Sequence, residues 1–103
     1  MSLFQNYVDV FYNWDKEVFR SLHHEDFMFI RETELLMLDD HITVIDELAS
    51  KGEMDWHTKA TLSHEDEYLM AARWEQEGEI IMNVHVKKDG LSWRALVSRT
   101  PIS

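Results

Sequence analysis

Cysteine and positive charge are what this sequence is short of. Its 103 residues contain no cysteine, which excludes disulfides, thiol catalysis, thiolate metal sites and iron–sulfur clusters. Ten Lys and Arg stand against twenty Asp and Glu, a net charge of −10. Nucleic acid is therefore not an expected partner, because its phosphates require a cationic surface. No apolar run approaches the roughly 18 residues of a membrane span, and the N-terminus lacks the basic-then-apolar order of a signal peptide. The expectation is a cytoplasmic protein with no membrane partner. Low-complexity runs are missing too, and with 45% hydrophobic and 12% aromatic residues the chain can build a core instead of staying disordered. The length predicts one domain over residues 1–103.

What is present divides the chain in two. Residues 1–55 carry 13 acidic and 4 basic side chains, while residues 56–103 carry 7 and 6. The acidic half reads as helical. Ser2 followed by Gln5 is a capping-box pattern, and Phe4, Tyr7, Val8, Phe11 and Trp14 recur at helical spacing behind it. Asp15 suits the cap of a second short helix with Val18, Phe19 and Leu22 as its apolar stripe. Phe27 to Ile30 reads as a short strand. Asp39 or Asp40 is placed to cap a third helix whose Ile42, Ile45, Leu48 and Ala49 share a face, with Lys51-Gly52 ending it. On that helix His41 is expected to face solvent.

After Met54 the period changes to two. Asp89-Gly90 is a strong hairpin signal and pairs Val86 with Trp93 and Val84 with Ala95. A three-residue loop with Gly78 left-handed pairs Trp74 with Ile80 and Met70 with Val84. A third loop through His64, Glu65 and Asp66 pairs Leu62 with Tyr68 and Trp56 with Trp74. The three registers agree, and they predict a four-stranded antiparallel meander. Its inner face holds Trp56, Thr58, Ala60, Leu62, Tyr68, Met70, Ala72, Trp74, Ile80, Met82, Val84, Val86, Trp93, Ala95 and Val97. The opposite face holds His57, Lys59, Leu69, Arg73, Ile81, Asn83, His85, Arg94 and Leu96. That face is part cationic and part apolar, as a contact surface would be, and these nine residues are the expected dimer interface.

Helix, helix, short strand, helix and a long antiparallel meander resembles the NTF2-like superfamily, also described as SnoaL-like or cystatin-fold. "QNYVDVFYNWDKEVFRSLHHEDFMFI" resembles the family's opening, "LLMLDDHITVIDEL" its third helix and "LSWRALVS" its last strand. The resemblance implies an α+β cone whose mouth opens between the helices and the inner sheet face. It also implies a homodimer through the outer sheet face.

Two clusters of titratable residues, His23-His24-Glu25-Asp26 and His64-Glu65-Asp66, are expected to be turns. Adjacent side chains point in different directions, so neither cluster can converge on one ion, and no metal or cofactor is expected. In the proton-transfer mode of the ketosteroid isomerases, which the resemblance brings into play, a helical tyrosine works with two carboxyls. Tyr7 falls at the tyrosine position, but Arg31 and Met82 fall where the two carboxyls belong. The expected cavity lining is Tyr7, Trp14, Phe29, Arg31, Trp56, Tyr68, Trp74 and Trp93, suited to a small apolar, aromatic or anionic ligand. Should the protein be an isomerase, cyclase or dehydratase of a small carbonyl compound, Tyr7, Arg31 and Glu32 are the candidate catalytic groups. A homodimeric protein-interaction domain is the third reading.

Overall fold

Ser2 opens the first helix: its hydroxyl accepts the backbone N–H of Gln5, and α1 runs Leu3–Tyr12 with Leu3, Tyr7 and Val10 buried. Asp15 caps α2, Lys16–Ser21, by accepting two backbone N–H groups. In this computed structural model, which describes residues 2–102, both caps fall where the sequence places them. The third helix, α3, covers Leu38–Ser50. Its N-cap is Met37, so Asp39 and Asp40 lie inside the first turn, where carboxylates still oppose the helix dipole. It ends at Gly52, whose φ of 72° lets Glu53 N–H reach back to the Leu48 carbonyl.

Six strands form one sheet in the order β2-β1-β6-β5-β4-β3. They are β1 His23–Arg31, β2 Glu34–Met37, β3 Thr61–Glu65, β4 Leu69–Gln76, β5 Glu79–Lys88 and β6 Leu91–Pro101. The meander β3 to β6 is antiparallel, and β1 joins β6 in parallel. The core lies between the sheet's concave side and α1, α2 and α3, built on Leu3, Tyr7, Val10, Phe19, Ile42, Met70 and Ala72.

Several sequence-based expectations are corrected. His23 to Asp26 is the opening of β1 and not a turn, because Ser92 N–H bonds the Leu22 carbonyl and His23 pairs with Ser92, drawing the chain into the sheet at once. His64 and Glu65 likewise belong to β3. Trp56 to Lys59 is a single helical turn, α4, closed by an Asp55–Lys59 ion pair at 2.7 Å. His57, Thr58 and Lys59 therefore sit on no sheet face.

The register differs by one residue where it matters most. Glu77 and Gly78 have φ of 51° and 78° and form a two-residue turn that pairs Gln76 with Glu79 and Trp74 with Ile81. The shift turns β5 over. Ile81, Asn83 and His85 face the helices and are buried, while Ile80, Met82, Val84 and Val86 take the convex side. Beyond Asp89-Gly90 the hairpin starts in the expected register, with Lys87 opposite Ser92, and a bulge then shifts it to His85 opposite Ala95. Ala95 and Val97 stay on the concave side. Trp93 leaves it and stacks against the Arg94 guanidinium at 4.0 Å. Ile81, Asn83 and His85 thus cannot belong to an outer interface, whereas Leu69, Arg73, Arg94 and Leu96 lie on the convex face.

Candidate functional site

A cavity of about 320 Å³ opens between α1, α3, α4 and the concave sheet. Tyr7 and Phe11 come to it from α1, Phe19 from α2, Phe29 from β1, Trp56 from α4 and Trp74 from β4. Its polar side chains are His41 from α3 and Asn83 and His85 from β5, with Arg31, Glu53, Asp55, Gln76 and Arg99 around the mouth.

Five of the eight expected lining residues are there: Tyr7, Phe29, Arg31, Trp56 and Trp74. Trp14 is drawn away, since its indole N–H donates to Asp46 Oδ1 at 2.8 Å. Tyr68 is 67% exposed beside the β3–β4 turn, and Trp93 stands on its bulge. Glu32 lies outside the cavity, in the β1–β2 turn with φ of 58° and 3.6 Å from Arg99. Arg31 pairs with Glu34 at 3.0 Å. Tyr12, on the outer side of α1, is exposed.

The residues that sequence reasoning missed are His41, Asn83 and His85. His41 is 7% exposed, not solvent-facing. Its spacing to Ile45 and Leu48 puts all three on one helical face, a signal that was available. Its ring stacks on Phe29 with centroids 4.6 Å apart and planes 19° apart. Asn83 and His85 were hidden by the register, because the polar phase of β5 is the one turned inward.

A hydrogen-bonded chain runs behind the cavity. His23 Nδ1–H donates to the Phe19 carbonyl at 2.8 Å, which leaves Nε2 to accept the Tyr7 hydroxyl at 2.9 Å. The Ser92 hydroxyl also faces the Tyr7 phenol. Ser92 Oγ lies 2.7 Å from His85 Nδ1, and His85 Nε2 lies 2.8 Å from Asn83 Oδ1. The amide oxygen can only accept, so Nε2 carries the proton and Nδ1 receives the serine hydroxyl. Serine, histidine and asparagine in a row suggest a nucleophile, but Ser92 has no exposed surface and does not line the cavity. The chain supports the site; it does not attack a substrate.

Burial sets the protonation of these rings. His85 is pushed down to about 3 by burial, with His23 and His41 adding to the effect. His41 is also pushed to about 3 by burial, then by His23 and Arg31. His23 falls to about 4, burial outweighing the favourable Phe19 carbonyl. Burial likewise pushes the Tyr7 phenol up, the nearby Ser92 side chain opposing it. At neutral pH all four groups are uncharged. Among the described residues no group of three or more His, Asp or Glu side chains is arranged to hold a metal ion.

No family model and no curated protein matches this sequence. Solved structures match it in architecture. IdmH, a candidate polyketide cyclase from Streptomyces antibioticus, superposes with a TM-score of 0.67 at 15% identity, over 94% of this chain and 88% of that one. A candidate ketosteroid isomerase from Kribbella flavida gives 0.60 at 17% identity, over 95% of this chain and 75% of its own. An NTF2-like protein of unknown function from Cytophaga hutchinsonii gives 0.65 at 8%, over 96% and 88%. The chain has the NTF2-like fold: helices packed on a curved, mostly antiparallel sheet. Identities this low carry the architecture and leave the activity to the site. No helix among the described residues is long and apolar enough to cross a membrane.

Proposed function

We propose that the cavity binds a small, flat, uncharged molecule carrying a carbonyl or hydroxyl group. The observation that carries this is an aromatic-walled space whose inward polar groups, His41 and Asn83, are neutral. Flat aromatic walls favour a conjugated ligand, and a few placed polar groups orient it. An anion is the poorer fit. Arg99 stands 3.6 Å from Glu32 and 3.7 Å from Glu79, Arg31 is paired with Glu34, and Glu53 and Asp55 add negative charge to the mouth. Fold neighbours named for a polyketide cyclase and a ketosteroid isomerase support a site for carbonyl compounds.

Thermal unfolding with 2-tetralone, 2-naphthol and 2-naphthoate tests the proposal. The ketone and the phenol should raise Tm and quench tryptophan fluorescence through Trp56 and Trp74, and the carboxylate should do so less. No shift with any of the three rejects it.

A homodimer through the convex sheet face is a second, separate proposal. The observation favouring it is an apolar strip that crosses the sheet from Leu35 and Met37 through Leu96 to Met82 and Val86, with Leu35 56% and Leu96 49% exposed. An exposed apolar strip that crosses four strands suits a second copy better than water.

A further inference from the structure

We propose that residues 54–60 form a hinged lid over the cavity, with Trp56 as its inner face and His57 as the group that favours its opening. The proposal rests on the ligand reading above and adds the way in and out.

The segment is bound to itself and not to its surroundings. Thr58 donates both its N–H and its hydroxyl to the Asp55 carbonyl, Ala60 N–H donates to the Trp56 carbonyl, and Lys59 meets Asp55 at 2.7 Å. Among the described residues, no hydrogen bond or ion pair ties residues 54–60 to another element before Thr61 enters the sheet opposite Arg73. The turn is therefore stiff within and untied without. Gly52 stands at one end with its φ of 72° and nothing within 4 Å of where a Cβ would be. Ala60 is extended at the other. A turn of this kind swings as a unit about its two ends.

Aromatic packing holds the lid down. The Trp56 ring lies 5.4 Å from Phe4, 5.8 Å from Phe11 and 6.0 Å from Tyr7, all on α1, and 6.4 Å from Trp74 on β4, centroid to centroid. Met54, Asp55 and Trp56 all line the cavity, so lifting the turn removes one of its walls without breaking a hydrogen bond to the rest of the fold.

His57 works against closure. Its ring meets Phe11 at 6.0 Å and Tyr12 edge-on at 4.5 Å, and its Nδ1 is the one enclosed side-chain nitrogen or oxygen without a partner among the described residues. An enclosed polar atom left unpaired disfavours the state that encloses it, and hydration on opening recovers the loss. An apolar ring there would pack as well and carry no such penalty. The histidine thus keeps open and closed states close in free energy, and a ligand that touches Trp56 favours the closed one.

The experiment is fluorine NMR of the full chain labelled with 5-fluorotryptophan, its four tryptophans assigned from single Trp→Phe variants. Relaxation dispersion should show microsecond-to-millisecond exchange at Trp56 and none at Trp93, which lies outside the cavity. H57F and H57L remove the unpaired nitrogen and should each lower the open population on the order of 10-fold; two shapes cover the case in which one is not tolerated. Saturating 2-naphthol should abolish the exchange. A static Trp56, equal exchange at Trp56 and Trp93, parental exchange in both His57 variants, or exchange that persists with 2-naphthol bound overturns the lid and leaves the ligand reading in place. Exchange at Trp56 that H57F and H57L reduce supports the lid even where neither 2-tetralone nor 2-naphthol binds, and that lack of binding rejects the ligand reading alone.

Discussion

The Tyr7 hydroxyl stands 2.9 Å from His23 Nε2, while the other nitrogen of that ring is committed to the Phe19 carbonyl. The contact fixes the tautomer of His23 and ties α1 to the first residue of β1. Tyr7→Phe removes the donor and leaves a buried nitrogen unpaired with little change in shape. Unfolding by urea should show a loss of about 1–3 kcal/mol. A variant as stable as the parent would mean that water replaces the phenol.

Acid sensitivity should begin near neutrality. His23, His41 and His85 have folded pKa values lowered to about 4, 3 and 3 from 6.5. In the unfolded chain they take up protons as pH falls below about 6.5, and in the folded chain they do not. Their contribution to stability is complete above pH 6.5 and declines as pH falls towards the folded values. Each ring adds a slope approaching roughly 1.4 kcal/mol per pH unit. Denaturant midpoints at pH 7.5, 6.5 and 5.5 should fall accordingly, and H41F should lessen the slope by about one ring's share. A flat profile over that range contradicts the neutral cluster.

Glu65 connects three elements. Its carboxylate accepts Leu3 N–H at 2.8 Å and Phe4 N–H at 3.3 Å at the start of α1 and meets Lys87 Nζ at 2.7 Å, with both acidic and basic side chains only 10% exposed. Burial alone would raise its pKa, but Lys87 and the two amides outweigh it and hold the group below its ordinary value. Its stabilising effect is thus present above the ordinary carboxylate range and is lost as pH falls through the lowered value. Glu65→Ala leaves Lys87 nearly buried without its carboxylate and the Leu3 and Phe4 amides without their acceptor, and should cost roughly 3 kcal/mol. The paired change Glu65→Ala with Lys87→Met should recover part of that loss. Both follow from urea unfolding curves.

The convex face gives the fourth expectation. Leu96→Glu places a carboxylate in the middle of the apolar strip, and sedimentation velocity should find the parent dimeric and the variant monomeric with its Tm little changed. A monomeric parent rejects the dimer.

Elements were far more legible in the sequence than faces. Ser2, Asp15 and Gly52 act through local hydrogen bonds or a local backbone conformation, and local chemistry can be read locally. The Glu77-Gly78 turn could not be read this way. It requires a glutamate at positive φ, which is disfavoured for that residue, so a loop placing only Gly78 there looked better. One residue of slip then exchanged the two sides of β5. Apolar periodicity favoured the wrong side as well: Ile80, Met82, Val84 and Val86 read as core, and Ile81, Asn83 and His85 as surface. Burying Asn83 and His85 conflicts with pattern because that side serves the cavity, and such conflicts gather where a fold serves a site. Tyr7, Phe29, Trp56 and Trp74 were found because the walls of the cavity obey ordinary hydrophobic logic. Its polar floor does not.

The parallel seam between β1 and β6 dictates an order of assembly. Met28 pairs with Arg94 and Arg31 with Val97, so β1 has only the short β2 beside it until β6 has been made and has docked. Closing so wide a chain loop costs entropy before any contact repays it. Until then the Phe27 and Phe29 side chains lack part of their cover, and the protein is most open to aggregation in the interval before β6 docks.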